Sequence, residues 1–368
     1  AGLAAPTSEP PASSAGLAAP TSEPPASSAG LATPTSEPPA PEEELAASAR
    51  PSPETPAERL ADKYADLGLI DIHNHDAAKY SQSLPTWDRY RIGKVVLFGN
   101  VSEPSAMETD AMAWEAYREY PDRIYPFFSG FDMHSPAGLD VVREQLEKGY
   151  LGVGETAAAS SFSPVLAHVA WKAEHPMDAN LPEVYELCAE YGAPILLHID
   201  PPSGYPVLML EEALDSYPDT LFIFAHANVY QDADSIGMLL EAHPNLLIDF
   251  FAGFTSYSSE SPFRTEQYVE LIEKYPDRFM LSTDGAFGMT YGEAIPAMYE
   301  TLELLKPETR KKVASGNFQR IVDAQKPTRK QLERLQELGG GEKAGANPDT
   351  LSRHEMNKLL FRLEASGG

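Results

Sequence analysis

From Glu58 onward the chain alternates short apolar runs with amphipathic stretches. The runs Leu69–His73, Lys94–Asn100, Arg123–Ser129, Leu151–Glu155, Pro194–His198, Leu221–His226, Leu246–Phe250 and Phe279–Asp284 read as strands. Most are continuously apolar, as strands covered on both faces of a parallel sheet should be. Between them Glu108–Tyr120, Leu139–Lys148, Glu183–Tyr191, Met209–Ser216, Ala233–Ala242 and Glu266–Tyr275 carry helical spacing. Several close on turn signals: Tyr-Pro-Asp at 120–122, 217–219 and 275–277, and His243-Pro244-Asn245. Eight β-α repeats over about 260 residues have the size of an α/β fold of the (β/α)8 TIM-barrel type. A doubly wound open sheet shares the periodicity and is the alternative.

The ends of the chain break this pattern. Residues 1–14 recur unchanged at 15–28. They return from Ala29 with Thr33 in place of Ala19, the repeat drifting at Pro41-Glu42. This Pro, Ser, Ala and Glu composition buries too little apolar surface to offset chain entropy, so residues 1–58 read as a disordered, partly polyproline tether. As a tether it would hold the following domain off a surface, in an extracytoplasmic attached form; a cytoplasmic location stays open. The start at Ala1 fits a removed signal sequence and equally a trimmed chain. The barrel domain then spans 59–323 and a helical extension 324–368. In the extension Thr328-Arg329-Lys330-Gln331 has capping-box form, followed by Leu332, Leu335 and Leu338 on one face. Gly339-Gly340-Gly341 stops that helix, and Asn347-Pro348 opens a last one carrying Leu351, Met356, Leu359, Leu360 and Leu363. These helices are expected to pack on their own barrel; a sister subunit of a homo-oligomer and another partner are the alternatives.

Charge narrows the function classes. Twenty-eight basic against 55 acidic residues give a formal charge of −27, with no run of Lys or Arg. That counts against nucleic acid as a main partner, which needs a basic stripe to displace counterions. No apolar stretch reaches the roughly 18–20 residues of a membrane span. The single cysteine, Cys188, excludes an intrachain disulfide framework and a cysteine zinc cluster.

The candidate chemistry sits at strand ends. His73 and His75 close the first strand, Glu155 the fourth, His198 the fifth, His226 the sixth and Asp284 the eighth. A barrel opens all strand C-termini onto one face, so six residues distant in sequence converge on one mouth. Residues i and i+2 of a strand share a face, which lets both imidazoles of His-x-His reach one ion. Imidazole with carboxylate suits a divalent metal, zinc first, with manganese, iron or cobalt as further choices. Asn100, Asn228 and Tyr230 follow strand ends, and Arg264 sits in the loop 252–265; these are the candidate substrate contacts. That loop reads as a lid. Lys79 is a further cation near the mouth, and His134 a further candidate for lining it. His168, His175, His243 and His354 read as structural or exposed, in helices or at their ends.

The sequence resembles the amidohydrolase superfamily of metal-dependent hydrolases from about Leu69 to Val322. It is most similar to the branch with aminocarboxymuconate-semialdehyde decarboxylase, resorcylate-type decarboxylases and lactonases. The likeness is carried by Ile70-Asp71-Ile72-His73-Asn74-His75, Gly152-Val153-Gly154-Glu155, Pro194-Ile195-Leu196-Leu197-His198 and Tyr217 to His226. It continues through Pro276 to Asp284 and ends in Val313-Ala314-Ser315-Gly316-Asn317-Phe318-Gln319-Arg320. The resemblance implies that His73, His75 and Asp284 hold a buried metal and that His198 and His226 hold a second. With one metal only, His198 becomes its ligand and His226 a base or substrate contact. Many binuclear relatives bridge their ions with a carboxylated lysine on strand four. Here Glu155 stands in that place, as in TatD-type nucleases, and leaves a binuclear site open. The implied function is metal-assisted hydrolysis of a small-molecule amide, ester or lactone, with Asp284 handling the proton. A decarboxylase of a small carboxylic acid is the runner-up. A nuclease, disfavoured by charge, and a non-catalytic tethered module are the remaining readings.

Overall fold

The computed structural model of the chain describes residues 55–339 and 347–367. Eight strands form one parallel sheet in sequence order: β1 (Ile70–Asn74), β2 (Lys94–Leu97), β3 (Ile124–Phe128), β4 (Gly152–Ala159), β5 (Ile195–Ile199), β6 (Phe222–Phe224), β7 (Leu246–Phe251) and β8 (Phe279–Ser282). Between β8 and β1 the ring closes through the Asp71 side chain. Thr283, just past β8, donates its N–H and hydroxyl to the two carboxylate oxygens of Asp71 on β1, at 2.9 and 2.7 Å. The fold is the expected TIM barrel rather than the open sheet.

Two apolar layers follow from the period-two alternation of strand side chains. Val96, Phe98, Tyr125, Phe127, Leu196, Ile223, Leu247 and Met280 fill the barrel with Phe318, Ile321 and Val322 of the helix Asn317–Ala324 packed among them. Their strand neighbours Val95, Leu97, Ile195, Leu197, Phe222, Phe224, Ile248 and Leu281 face the helical layer. Continuing the inner row by two residues leads from Leu196 to His198, from Leu247 to Asp249 and from Met280 to Ser282. The apolar filling thus gives way to polar groups toward the strand C-termini.

Several boundaries differ from the sequence reading. Thr55 and Glu58 form a capping box that starts a helix at Pro56–Lys63, so the end of the expected tether is helical. The rest of that tether lies outside the described residues. β4 runs four residues beyond Glu155, to Ala159. β6 and β8 stop short, leaving His226 and Asp284 in the turns that follow, both with positive φ (35° and 48°). The loop read as a lid begins with a helix, Ala252–Tyr257. His168 and His175 lie in an irregular segment, 160–180, rather than in helices. Asp200 organises its start by accepting the N–H groups of Ser161, Phe162 and Ser163.

The C-terminal helices pack on their own barrel. Leu335, Met356, Leu359 and Leu360 form a small core between Arg329–Glu337 and Arg353–Gly367. The last helix starts at Arg353, later than Asn347-Pro348 suggested, because Ser352 and Glu355 cap it reciprocally. Arg353, buried, donates to the carbonyls of Tyr150 and Tyr191, and Asn357 to that of Gly149. His354 Nδ1 lies 2.7 Å from the Tyr117 hydroxyl.

Burial, with Lys358 and Lys94 nearby, lowers the His354 pKa from 6.5 to about 4, against weaker opposite pulls from Asp122 and Glu355. The unfolded chain takes this proton near pH 6.5 and the folded chain only near 4. The stabilisation is therefore complete above pH 6.5 and lost as the pH falls through about 4, on the order of 3 kcal/mol in all. Urea unfolding at pH 7 and pH 5 should show wild type losing roughly 2 kcal/mol more than His354→Asn. Parallel losses in the two proteins would assign the acid sensitivity elsewhere.

Candidate metal centre

Six predicted residues converge at the strand C-termini in two groups. His73, His75 and Asp284 form one; Glu155, His198 and His226 form the other. In the first, His73 Nε2 lies 3.0 Å from His75 Nε2 and 3.3 Å from Asp284 Oδ1. In the second, Glu155 Oε1 lies 3.1 Å from His198 Nδ1 and 3.0 Å from His226 Nε2, and those two nitrogens are 3.0 Å apart. Glu155 also joins the groups. Its Oε2 is 3.6 Å from His73 Nε2 and 3.5 Å from His75 Nε2. Gly154 makes this possible: its φ is +119°, and a Cβ there would come within 2.5 Å of the Leu196 carbonyl oxygen.

The outer nitrogens fix the rings. His75 Nδ1 faces the Gly99 carbonyl at 2.8 Å, which can only accept. His73 Nδ1 faces Asp249 Oδ2 and His198 Nε2 faces Asp200 Oδ2, each at 2.7 Å. With those positions donating, neutral rings turn lone pairs inward at His73 Nε2, His75 Nε2 and His198 Nδ1. Two carboxylates face the same space, so the inner atoms are acceptors and the cluster fits divalent cations.

The field agrees. Burial opposes a charge on His73, yet Glu155, Asp284 and Asp249 outweigh it and push its pKa well above the usual value. Burial likewise opposes a charge on His198, while Asp200 and Glu155 raise it to about 9. Burial would raise Glu155, and His73, His198 and His226 hold it well below the ordinary carboxylate range. Each of these shifts calls for positive charge at the centre. His73 is fully enclosed, whereas the side chains of His75 and Asp284 are 28% and 13% exposed, which marks the open side.

Asp249 and Asp200 escaped the sequence reading. Asp249 also accepts the His226 N–H at 2.9 Å, so one carboxylate orients two of the imidazole-bearing residues. Its signal was a lone acid inside Leu246–Phe251, an otherwise apolar strand. Asp200 follows His198 by two residues, the same spacing as His-x-His.

The candidate substrate contacts separate. Tyr230 lies at the centre, its ring centroid 6.3 Å from His198 and 6.0 Å from His226, edge-on to both. Burial raises its pKa and keeps the phenol protonated. Asn228 is buried, and its amide is committed to the backbone of Phe251 in both directions, at 2.9 and 2.8 Å. Asn100 is exposed and donates to Ser105 Oγ. Arg264 is exposed and donates to the Ser258 and Phe263 carbonyls. Lys79 pairs with Asp76 at 3.2 Å, and His134 Nε2 faces the Lys172 carbonyl on the surface.

Residues 70–323 match the amidohydrolase family model, and the chain belongs to that family. It is an enzyme of the amidohydrolase superfamily. Among solved structures it is similar to the 2,6-dihydroxybenzoate decarboxylase from Rhizobium (13% identity, TM-score 0.49, 69% of this chain and 98% of that one). It is also similar to a probable 2-pyrone-4,6-dicarboxylic acid hydrolase from Acinetobacter baumannii (14%, 0.47, 69% and 98%). A third is the 4-oxalomesaconate hydratase from Rhodopseudomonas palustris (14%, 0.45, 74% and 99%). No curated protein matches the chain. Among the described residues no helix is long and apolar enough to cross a membrane.

Proposed function

We propose that this chain is a binuclear metal-dependent hydrolase of a small-molecule ester, lactone or amide. The observation that carries it is the division of the Glu155 carboxylate, with Oε2 turned to His73 and His75 and Oε1 to His198 and His226. Zinc suits this imidazole and carboxylate set. A bound divalent ion lowers the pKa of its water from about 15.7 toward about 7 and polarises a carbonyl.

The chain's own residues do the rest. Asp284, at the open side, takes the proton of the attacking water on a carboxylate oxygen and returns it to the leaving oxygen or nitrogen as the acyl bond breaks. Asp249 and Asp200 hold His73 and His198 in the tautomers that present lone pairs inward. Tyr230 donates its hydroxyl to the substrate oxygen. Tyr230→Phe should lower kcat/KM roughly 10- to 100-fold with metal content unchanged. Unaltered kcat/KM would remove the hydroxyl from the reaction.

Metal content after purification without chelator tests the proposal, with His73→Ala/His75→Ala beside wild type. Close to two equivalents in wild type, reduced in the variant, is the expected result. About one equivalent would overturn the binuclear arrangement. Proton release against carbon dioxide release over lactones, esters, amides and aromatic acids separates hydrolysis from decarboxylation.

A further inference from the structure

The two groups of the centre are mounted differently. Glu155, His198 and His226 stand on or just past β4, β5 and β6, which backbone ladders join; Ala157 pairs with His198 and Leu197 with Phe224. Such ladders repeat along the strands and fix neighbours without help from side chains. His73, His75 and Asp284 straddle a seam instead. Two come from β1 and the turn after it, one from the turn after β8. Among the described residues the ladders run from β1 through to β8, and none joins β8 back to β1.

Asp71 spans that seam. Its Oδ1 accepts the Thr283 N–H at 2.9 Å and its Oδ2 the Thr283 hydroxyl at 2.7 Å. Thr283 immediately precedes Asp284. On its own strand Asp71 Oδ2 accepts the amide of Asn74, the residue between His73 and His75, at 3.0 Å. Asn74 also accepts the Asp76 N–H at 3.0 Å and donates to the Tyr291 hydroxyl at 3.1 Å, while Tyr291 donates to Asp76 at 2.7 Å. A continuous hydrogen-bonded chain, Thr283–Asp71–Asn74–Tyr291–Asp76, brackets all three members of the first group. Asp71, Asn74, Asp76 and Thr283 are buried, so a bond lost here leaves a polar group with no water to replace its partner. Beyond Thr283 the backbone turns through φ values of 48°, 58° and 60° at Asp284, Gly285 and Ala286. Left-handed residues cannot continue the strand, so the anchor at Thr283 sets where Asp284 begins.

We propose that Asp71 is the positioning residue of one metal position. By clasping β8 to β1 it sets the spacing of Asp284 from His73 and His75, and with it the affinity for the first ion. The second position rests on backbone ladders and does not depend on Asp71. This assignment rests on the binuclear reading.

The test measures zinc affinity of the full chain by competition with a chelating dye, for wild type, Asp71→Asn and Thr283→Val, each with and without His75→Ala. In Asp71→Asn the amide nitrogen must face a donor, the Thr283 N–H or the Asn74 amide, and the clasp opens. The first ion should then bind about 10- to 100-fold more weakly. Thr283→Val removes one bond of the clasp and should weaken the same ion about 2- to 10-fold. It carries the comparison if melting of the metal-free proteins shows Asp71→Asn unfolded. With His75→Ala in place only the second position remains, and neither change should alter its affinity. Equal weakening of that remaining ion would make Asp71 a general support of the fold and overturn the assignment, as would unchanged affinity at both positions. Two ions in wild type uphold the binuclear reading whichever way the Asp71 comparison falls. A single ion ends that reading, and the role of Asp71 then stands only if His75→Ala and Asp71→Asn both weaken that ion. With no zinc bound, both fall.

Discussion

Glu155→Gln is expected to reduce bound divalent metal from about two equivalents to one or fewer and to lower kcat/KM on the order of 10³-fold. Among the described residues Glu155 is the one carboxylate within 3.6 Å of both imidazole pairs. Gln keeps the length but replaces one acceptor oxygen with an amide nitrogen that can only donate. One of the two groups therefore loses its shared ligand, and the centre loses a full negative charge. Metal-assisted catalysis supplies several kcal/mol of transition-state stabilisation, and each 1.36 kcal/mol is tenfold in rate. Loss of half the metal assembly thus accounts for about three decades. The measurement is elemental analysis on dialysed protein alongside kcat/KM. Thermal melting of both proteins in chelator guards against misfolding, and similar midpoints would place the effect in the metal centre. Two retained equivalents would show that Glu155 is not a bridge.

The way the centre is assembled explains what the sequence could and could not reveal. The eight strands were legible because most are continuous apolar runs and several close on turn signals such as Tyr-Pro-Asp. The strand-end histidines were legible because a barrel sends every strand C-terminus to one face. The partition into two groups came only through the family resemblance; which oxygen of Glu155 turns toward which imidazole carries no sequence signal. The orienting partners were also hidden. The Gly99 carbonyl that fixes His75 carries no side-chain signal, and Asp249 reaches His73 across the barrel interior at 2.7 Å. Asn228 shows the opposite case: a strand-end amide with the right composition for substrate, yet satisfied at both ends by Phe251. Local sequence cannot distinguish a polar group that faces the mouth from one that staples a turn. The capping of the last helix by Ser352 and Glu355, rather than by Asn347-Pro348, is similar. The reciprocal hydrogen bonds of Ser352 and Glu355 set the start at Arg353, where the sequence reading took Asn347-Pro348.

Asp284→Asn should separate proton transfer from metal holding. Asp284 sits at φ 48°, a left-handed conformation that Asn tolerates better than most residues, so the turn after β8 should survive the change. The amide retains a carbonyl oxygen that can take the place of Oδ1 near His73 and His75. What it loses is a basic oxygen. General acid–base catalysis is worth typically 10²–10⁴ in rate, and kcat is expected to fall by about that factor. The informative comparison is Asp249→Asn, which disturbs an orienting hydrogen bond to His73 without removing a metal-facing carboxylate. Loss of such a partner weakens metal affinity about 10- to 100-fold. Excess zinc should therefore restore most of the turnover in Asp249→Asn and little in Asp284→Asn. Recovery of both variants by metal would reduce Asp284 to a ligand, and near-wild-type turnover in Asp284→Asn without added metal would remove it from the proton path.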